Sequence, residues 1–157
     1  MAALTHDLAQ VWLAPAGGEA ASSLGMLVLT VPPKALKDVV QALKTEHGFD
    51  LLLDVTAVDR PTATPRFEVV YHFYSTRHRT RVRVKARVPA EDCMVDSLVP
   101  LYGAARFAER ECHDMYGIGF RGNADLRPIL LYEGFVGHPL RKDYPKMREQ
   151  PLVPYRE

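Results

Sequence analysis

The glycine-rich stretch 117–122 is the segment of the sequence closest to a nucleotide-binding motif. Gly117, Gly119 and Gly122 have the GxGxxG spacing, which binds a pyrophosphate where a strand precedes the glycines and a helix follows them. Here a predicted helix comes before Gly117, and residues 123–128 contain no helix start. We therefore interpret the stretch as a helix end that leads into a turn, and we predict no cofactor bound there.

Cysteine, histidine and serine side chains are the next candidates for chemistry. Cys93 and Cys112 are far apart in the sequence, and neither CxxC nor HxxxH spacing occurs, although zinc sites usually use such pairs. No serine lies in a G-x-S-x-G context. The sequence thus predicts no metal site and no catalytic residue. Two cysteines also form no disulfide framework, which favours a reducing, cytosolic setting.

Two dense charge clusters lie just before and within an unusual C-terminal region. They are residues 109–111 (Glu-Arg-Glu) and 141–143 (Arg-Lys-Asp). Residues 117–157, which we name the arm, carry large side chains such as Phe120 and Leu130 but show neither helical nor strand periodicity. Irregular segments of this length are usually functional. We expect the arm to pack on its own domain and on another chain, with Arg–carboxylate pairs fixing its register.

A basic strand face is the feature that could indicate nucleic-acid binding. Arg81, Arg83, Lys85 and Arg87 alternate with apolar residues, so they share one face of a strand. Recognition of RNA by a sheet also needs exposed aromatic side chains that stack on bases. In addition, a net charge of +1 gives no general attraction to polyanions. We interpret the face as solvated or ion-paired and predict no nucleic acid as a partner.

The elements that position these residues follow from periodicity and turn signals. The predicted helices are 4–12, 34–46, 92–101 and 104–116, and the predicted strands are 26–31, 49–58, 66–74 and 79–88, the last two as a hairpin. Residues 14–25 are predicted to be a loop of small residues. In the second strand, alternation places Leu51 and Leu53 on the apolar side. In the last helix, Arg110 and Asp114 lie one turn apart and are positioned to pair.

Length and composition are those of a single globular domain. The chain has 157 residues, 47% of them apolar and 25% charged, which is ordinary usage for such a domain. We divide it into a poorly defined segment 1–25, an α+β core 26–116 and the arm 117–157. The predicted fold class is α+β, an antiparallel or mixed sheet with helices on one side and an irregular C-terminal arm. We expect no membrane span and no secretory signal.

Several stretches of the sequence resemble one protein family, in the order in which that family has them. The C-terminal stretches are 109–118, 125–127 and 134–145, and the upstream stretches are 52–59, 66–72 and 81–85. Together they resemble the 30-kDa subunit family of respiratory complex I, whose bacterial member is the C subunit of NADH–quinone oxidoreductase. The resemblance runs from about residue 26 to residue 145.

The resemblance implies a non-catalytic subunit of the peripheral arm of a proton-translocating enzyme. It implies docking on the 49-kDa (D) subunit, with subunits B and I nearby, on the cytoplasmic face of the bacterial inner membrane. FMN, iron–sulfur clusters and quinone are then expected in other subunits. A related membrane-bound hydrogenase or other complex I relative is the alternative. The residues marked for partner binding are Glu109, Arg110, Glu111, Asp114, Arg127, His138, Pro139, Leu140, Arg141, Lys142 and Asp143.

Overall fold

The computed structural model describes residues 4–147 and residue 150. In this part of the chain, three α-helices and seven strands form an α+β fold, as predicted. The helices are α1 (His6–Leu13), α2 (Leu36–Thr45) and α3 (Ala105–Tyr116). The strands are β1 (Glu19–Ser23), β2 (Met26–Val31), β3 (Leu51–Asp59), β4 (Phe67–Ser75), β5 (Thr80–Val88), β6 (Met94–Asp96) and β7 (Gly119–Arg121).

The main sheet has five strands in the order β1-β2-β5-β4-β3. Strands β2 and β5 run parallel, and every other pair in this sheet is antiparallel, so the sheet is mixed. The predicted β4–β5 hairpin is present, and Arg81, Arg83, Lys85 and Arg87 do lie on the face opposite the buried Val82 and Val84. Strands β6 and β7 form a separate parallel pair beside it.

The core lies on one face of this sheet. Apolar side chains from all three helices, such as Leu13, Leu43 and Cys112, belong to the same buried cluster as the inward side chains of β4 and β5. The periodicity of α2 explains its position, because its four buried residues recur at helical spacing. The outer face of the sheet is therefore the side that carries the basic residues of β5.

The predicted loop 14–25 contains an edge strand that sequence reasoning missed. Strand β1 pairs with β2 through a tight turn at Leu24 and Gly25. Apart from Glu19 its side chains are small, and most of them are exposed. Because an edge strand of this kind is held by backbone hydrogen bonds rather than by a buried face, it shows no apolar alternation.

The helix predicted for residues 92–101 is wrong. The segment contains strand β6 followed by turns, and Val95 pairs with Phe120 of β7. Val95 and Leu98 are both buried, and their spacing of three imitates a helical face. The partner that selects the strand lies more than twenty residues further along the chain, so local periodicity could not indicate it.

The apolar side predicted for β3 is wrong at its first residues. Leu51 and Leu53 are exposed, whereas Leu52 and Val55 are buried. The pairing register shifts between Leu52 and Asp54, which marks a β-bulge at Leu53. One extra residue reverses the alternation of a strand, and three consecutive leucines give no indication of its position.

Two buried tyrosines allow a matched test of polar bonding in this core. The Tyr102 hydroxyl donates to the carbonyl oxygen of Phe49 at 2.6 Å, whereas the Tyr71 hydroxyl finds no partner among the described residues. We predict that Tyr102→Phe lowers the free energy of unfolding by about 1 kcal/mol, because a buried hydrogen bond is lost. Tyr71→Phe should leave it unchanged or raise it by up to about 1 kcal/mol.

Urea unfolding of the two variants beside the unaltered chain measures both values. Equal destabilisation by the two substitutions would contradict the prediction, because the change in side-chain volume is the same in both.

Candidate docking surface

Helix α3 ties the arm to the core through the buried carboxylate of Glu109. This side chain is fully buried and accepts hydrogen bonds from the Ser97 hydroxyl and the Leu98 N–H, each at 2.7 Å, and from the Asn123 amide at 3.1 Å. Burial raises its pKa above the ordinary 4.5. Glu109 therefore joins the turn after β6 to the start of the arm, and in this conformation it exposes no surface to a partner.

Asp114 holds a second point of the arm. Its Oδ2 accepts the backbone N–H groups of Ile129, Leu130 and Leu131 at 3.0, 2.9 and 2.9 Å. Burial alone would raise the pKa of Asp114, but these three donors outweigh it and hold the pKa below the ordinary 3.8. A charged carboxylate thus fixes the backbone of an otherwise irregular segment.

The segment 138–141 of the arm bonds to the end of α3. A helix leaves its last four carbonyl oxygens without intrahelical partners. In α3 the first of these, on His113, accepts the Gly117 N–H. The next three, on Asp114, Met115 and Tyr116, accept from His138 Nδ1 at 2.9 Å, Leu140 N at 3.1 Å and Arg141 Nε at 2.6 Å. The cationic Arg141 also suits the negative end of the helix dipole.

Gly117 makes this contact possible. It ends α3 with a left-handed φ of +72°, as the sequence predicts for a helix stop. A Cβ at this position would lie 2.5 Å from the His138 ring and 2.8 Å from Arg141 Nη2. Glycine is needed here for its conformation and for the space it leaves to the arm.

A network around Asp59 secures the next residues of the arm. Arg66 donates to both carboxylate oxygens of Asp59, at 2.7 and 2.8 Å, and to Asp143 at 2.9 Å. The Lys142 N–H donates to Asp59 at 2.7 Å. The bonds from Arg66 lower the pKa of Asp59 and of Asp143. The guanidinium groups of Arg66 and Arg141 both lie about 5 Å from the centre of the Phe67 ring.

The predicted ion pair between Arg110 and Asp114 is not formed. Arg110 instead donates to the carbonyl oxygens of Arg127 and Pro128, and Asp114 bonds to the arm as described. The exposed Arg127 side chain pairs with Asp125 at 2.6 Å. Glu111, also marked by the sequence, points to solvent. Of the eleven marked residues, two are buried (Glu109 and Asp114), four are half-buried (Arg110, His138, Pro139 and Arg141), and five are exposed (Glu111, Arg127, Leu140, Lys142 and Asp143).

The anchored arm presents large apolar side chains to solvent. Leu130 and Val136 are about 60% exposed, and Leu140 is 45% exposed. The ring of Phe135 lies between those of Tyr132 and Tyr144, at centroid distances of 5.4 and 6.1 Å. Between this aromatic group and the end of α3 lies an open cleft of about 390 Å³. We name Ile129, Leu130, Tyr132, Val136 and Leu140 the arm surface.

Sequence reasoning missed Asp59 and Arg66 as residues that position the arm. Asp59 is buried at the end of β3, an unusual place for a carboxylate. A charged residue that closes an apolar strand is the signal that could have singled it out. Its partner Lys142 is 83 residues away, so spacing could not reveal the contact.

Residues 4–147 and 150 include no group of three or more His, Cys, Asp or Glu side chains placed to hold a metal ion. No helix in the same residues is long and apolar enough to cross a bilayer. What the geometry does show is an irregular segment whose backbone is bonded to the core and whose large apolar side chains are exposed.

The three amide bonds to Asp114 can be tested by removing their acceptor. In Asp114→Ala, the N–H groups of residues 129–131 lose a charged acceptor, a bond of about 1.5–3 kcal/mol. We predict that these amides exchange with solvent about tenfold faster or more, while those of β4 and β5 keep their protection. Hydrogen exchange read by mass spectrometry or NMR measures this.

Glu111→Ala is the matched control, since it removes an exposed acid from the same helix and should change nothing. Native exchange at residues 129–131 in Asp114→Ala would contradict the role assigned to this carboxylate.

Gly117 and Gly25 provide a second matched pair. Their φ values are +72° and +73°, but a Cβ at Gly25 would meet open space. Alanine at either position lowers the free energy of unfolding by about 1–2 kcal/mol, because its Cβ is strained in the left-handed backbone conformation. We predict that Gly117→Ala loses more stability than Gly25→Ala in urea unfolding, and that trypsin then cleaves the arm faster, because His138 and Arg141 must move. Equal losses with an equally resistant arm would show that the arm does not depend on Gly117.

Comparison with known proteins assigns this fold and arm to a family. The family model of the respiratory-chain NADH dehydrogenase 30-kDa subunit matches residues 29–150. The NADH-quinone oxidoreductase C subunit of Rhodobacter capsulatus is 50% identical over 123 residues, which are 77% of this chain and 61% of that protein. The match thus spans less than two thirds of that relative's length.

Two solved structures share the fold. The trypsin-resistant fragment (1-134) of Nqo5 superposes with a TM-score of 0.68 at 31% identity, over 74% of this chain and 95% of the fragment. A chain of the membrane-bound sulfane sulfur reductase, an archaeal respiratory membrane complex, superposes with a TM-score of 0.77 at 28% identity, over 90% of this chain and 85% of that one. The chain therefore belongs to the 30-kDa subunit family of the respiratory-chain NADH dehydrogenase.

Proposed function

We propose that the chain is a structural subunit of the peripheral arm of a proton-translocating NADH–quinone oxidoreductase. In this proposal it docks the 49-kDa (D) subunit, with subunits B and I nearby, and keeps the peripheral arm assembled. The observation that carries the proposal is the arm surface, a set of exposed apolar side chains on a backbone already held by Asp114, His138 and Arg141. Surfaces of this kind commonly mark protein contacts.

The bonds that hold the arm explain how such a surface serves assembly. They are made within this chain, so the arm surface has a defined shape before a partner binds. A preformed surface avoids part of the entropy cost of ordering side chains on binding. The apolar residues Leu130, Val136 and Leu140 then lose exposed area against the partner, which is the main favourable term in association.

The proposal assigns the redox chemistry to other chains. FMN, the iron–sulfur clusters and quinone are placed in neighbouring subunits. This chain holds those subunits in position and supplies no reacting group. The complex is placed at the cytoplasmic face of the bacterial inner membrane, with this subunit peripheral.

A second candidate is the equivalent subunit of a related membrane-bound complex, such as a hydrogenase or another complex I relative. The likeness to a chain of the archaeal sulfane sulfur reductase complex favours keeping it. Affinity purification of the tagged chain from detergent-solubilised membranes separates the two. Co-purification of a flavin-containing NADH-oxidising assembly supports the first, and a large subunit that binds nickel supports the hydrogenase. Recovery of the chain alone, with normal NADH–quinone activity in a deletion strain, would reject the first proposal.

The arm surface can be tested by a charge placed within it. We predict that Val136→Asp reduces recovery of the assembled complex about tenfold or more, because a carboxylate buried without a partner costs several kcal/mol. The isolated variant should keep its unfolding midpoint, since Val136 is exposed in the free chain.

Val11→Asp is the control, because Val11 is also an exposed valine but lies on α1, outside the arm. It should leave recovery of the complex unchanged. Normal recovery with Val136→Asp would remove the arm surface from the interface.

A further inference from the structure

The outer face of the sheet contains a buried carboxylate surrounded by cations. Glu68 of β4 is only 2% exposed, although it lies on the side away from the core. Lys85 Nζ lies 2.9 Å from its Oε1, Arg60 Nη2 lies 3.4 Å from the same oxygen, and Arg87 Nε lies 3.4 Å from its Oε2. We name these four residues the Glu68 cluster.

The cluster carries more positive charge than Glu68 can neutralise. Burial alone would raise the pKa of Glu68, but Lys85 and Arg60 hold it below the ordinary 4.5, so the carboxylate is ionised at neutral pH. Three cations on one carboxylate leave an excess of two charges. The cluster borders an open cavity of about 230 Å³, and Glu68 is the acidic residue that lines it within the described part of the chain.

The surrounding face adds to this excess. Arg81 and Arg83 continue the row along β5, while Asp54 supplies one opposing carboxylate. Arg83 donates to Nε2 of His72 at 2.9 Å, which requires that ring to be neutral. Glu19 of β1 adds a third carboxylate, because it lies opposite Thr30, which in turn lies opposite Lys85 on this face. Five cations and three carboxylates give the face an excess of two positive charges, on a chain whose net charge is +1. The rest of the molecule is therefore net acidic, and the charge is segregated.

We propose that the Glu68 cluster is a binding site for an acidic polypeptide segment of a neighbouring subunit. One carboxylate side chain of that segment enters the cavity and pairs with Arg60, Arg87 and Lys85. This inference rests on the proposed function, in which the chain is held among other subunits.

The chemistry of the cations favours a carboxylate. Arg60 and Arg87 are each half-exposed and contact Glu68 through one nitrogen, so their planar guanidinium groups keep further donors for a second carboxylate. Glu68 holds the three cations close together, which reduces the side-chain ordering needed on binding. The described residues that line the cavity include no helix N-terminus, the usual device for phosphate. Its open position on a broad sheet face suits a segment of polypeptide.

A zero-length crosslink tests this contact in the purified complex. A carbodiimide joins a lysine to a carboxylate that touches it, so we expect an amide between Lys85 and an Asp or Glu of another subunit, located by mass spectrometry. Lys85→Arg keeps the charge and removes the reactive amine, so it should abolish this crosslink while the complex remains intact.

Variants with fewer charges give the second part of the test. Arg60→Gln combined with Arg87→Gln should reduce the interchain crosslink about fivefold, since two exposed ion pairs are lost. Arg81→Gln combined with Arg83→Gln removes two charges from the same face of the sheet, outside the cluster, and should change the crosslink less than about twofold. An equal loss in both would indicate general attraction and overturn the inference.

Two remaining outcomes separate this inference from the proposed function. If the chain purifies within the complex but Lys85 couples only to Glu68 of its own chain, or to nothing, the inference fails and the proposed function stands. If the chain does not purify within any complex, the proposed function fails first.

Discussion

The last turn of α3 is the constraint on which the position of the arm depends. Four carbonyl oxygens at a helix end need donors once they are covered by protein, and three of the four in α3 accept from residues 138–141. Gly117 turns the chain out of the helix and leaves the space that these residues occupy. The arm is thus placed by the unsatisfied end of a helix, which is fixed in the core by Cys112 and Glu109.

Two buried carboxylates on α3 have pKa values shifted in opposite directions. Glu109 has a pKa raised by burial, so its ionised form works against stability above the ordinary pKa of 4.5. Asp114 has a pKa lowered by three backbone donors in spite of burial. A lowered pKa contributes stability above the ordinary 3.8 and loses it as the pH falls through the folded value. The bond between Asp114 and the arm is therefore fully present at neutral and mildly acidic pH.

Hydrophobic periodicity correctly predicted those helices and strands whose position depends on their own side chains. Helix α2 and the β4–β5 hairpin have strong periodicity, and both appeared where it placed them. Strand β1 and residues 92–101 were missed or wrong because their pairing depends on a partner strand. Contacts with the arm were also missed for this reason. Arg110 bonds to the distant carbonyl oxygens of Arg127 and Pro128 rather than to Asp114 one turn away. The charged motifs contain residues that bond to the arm, such as Glu109 and Asp114, but they did not indicate which of their side chains face inward.

Beyond β7, polar bonds to its backbone hold the arm, and this determines what its side chains can do. An irregular segment is usually held by burying its apolar side chains, which leaves few of them for another chain. Here Asp114, Asp59 and the end of α3 bond the backbone, so Leu130, Val136 and Leu140 remain outside. Burying those side chains against a partner gains free energy without first dismantling a contact within the chain. In the proposed function, a segment held in this way keeps its domain at a fixed position relative to the subunit that it binds.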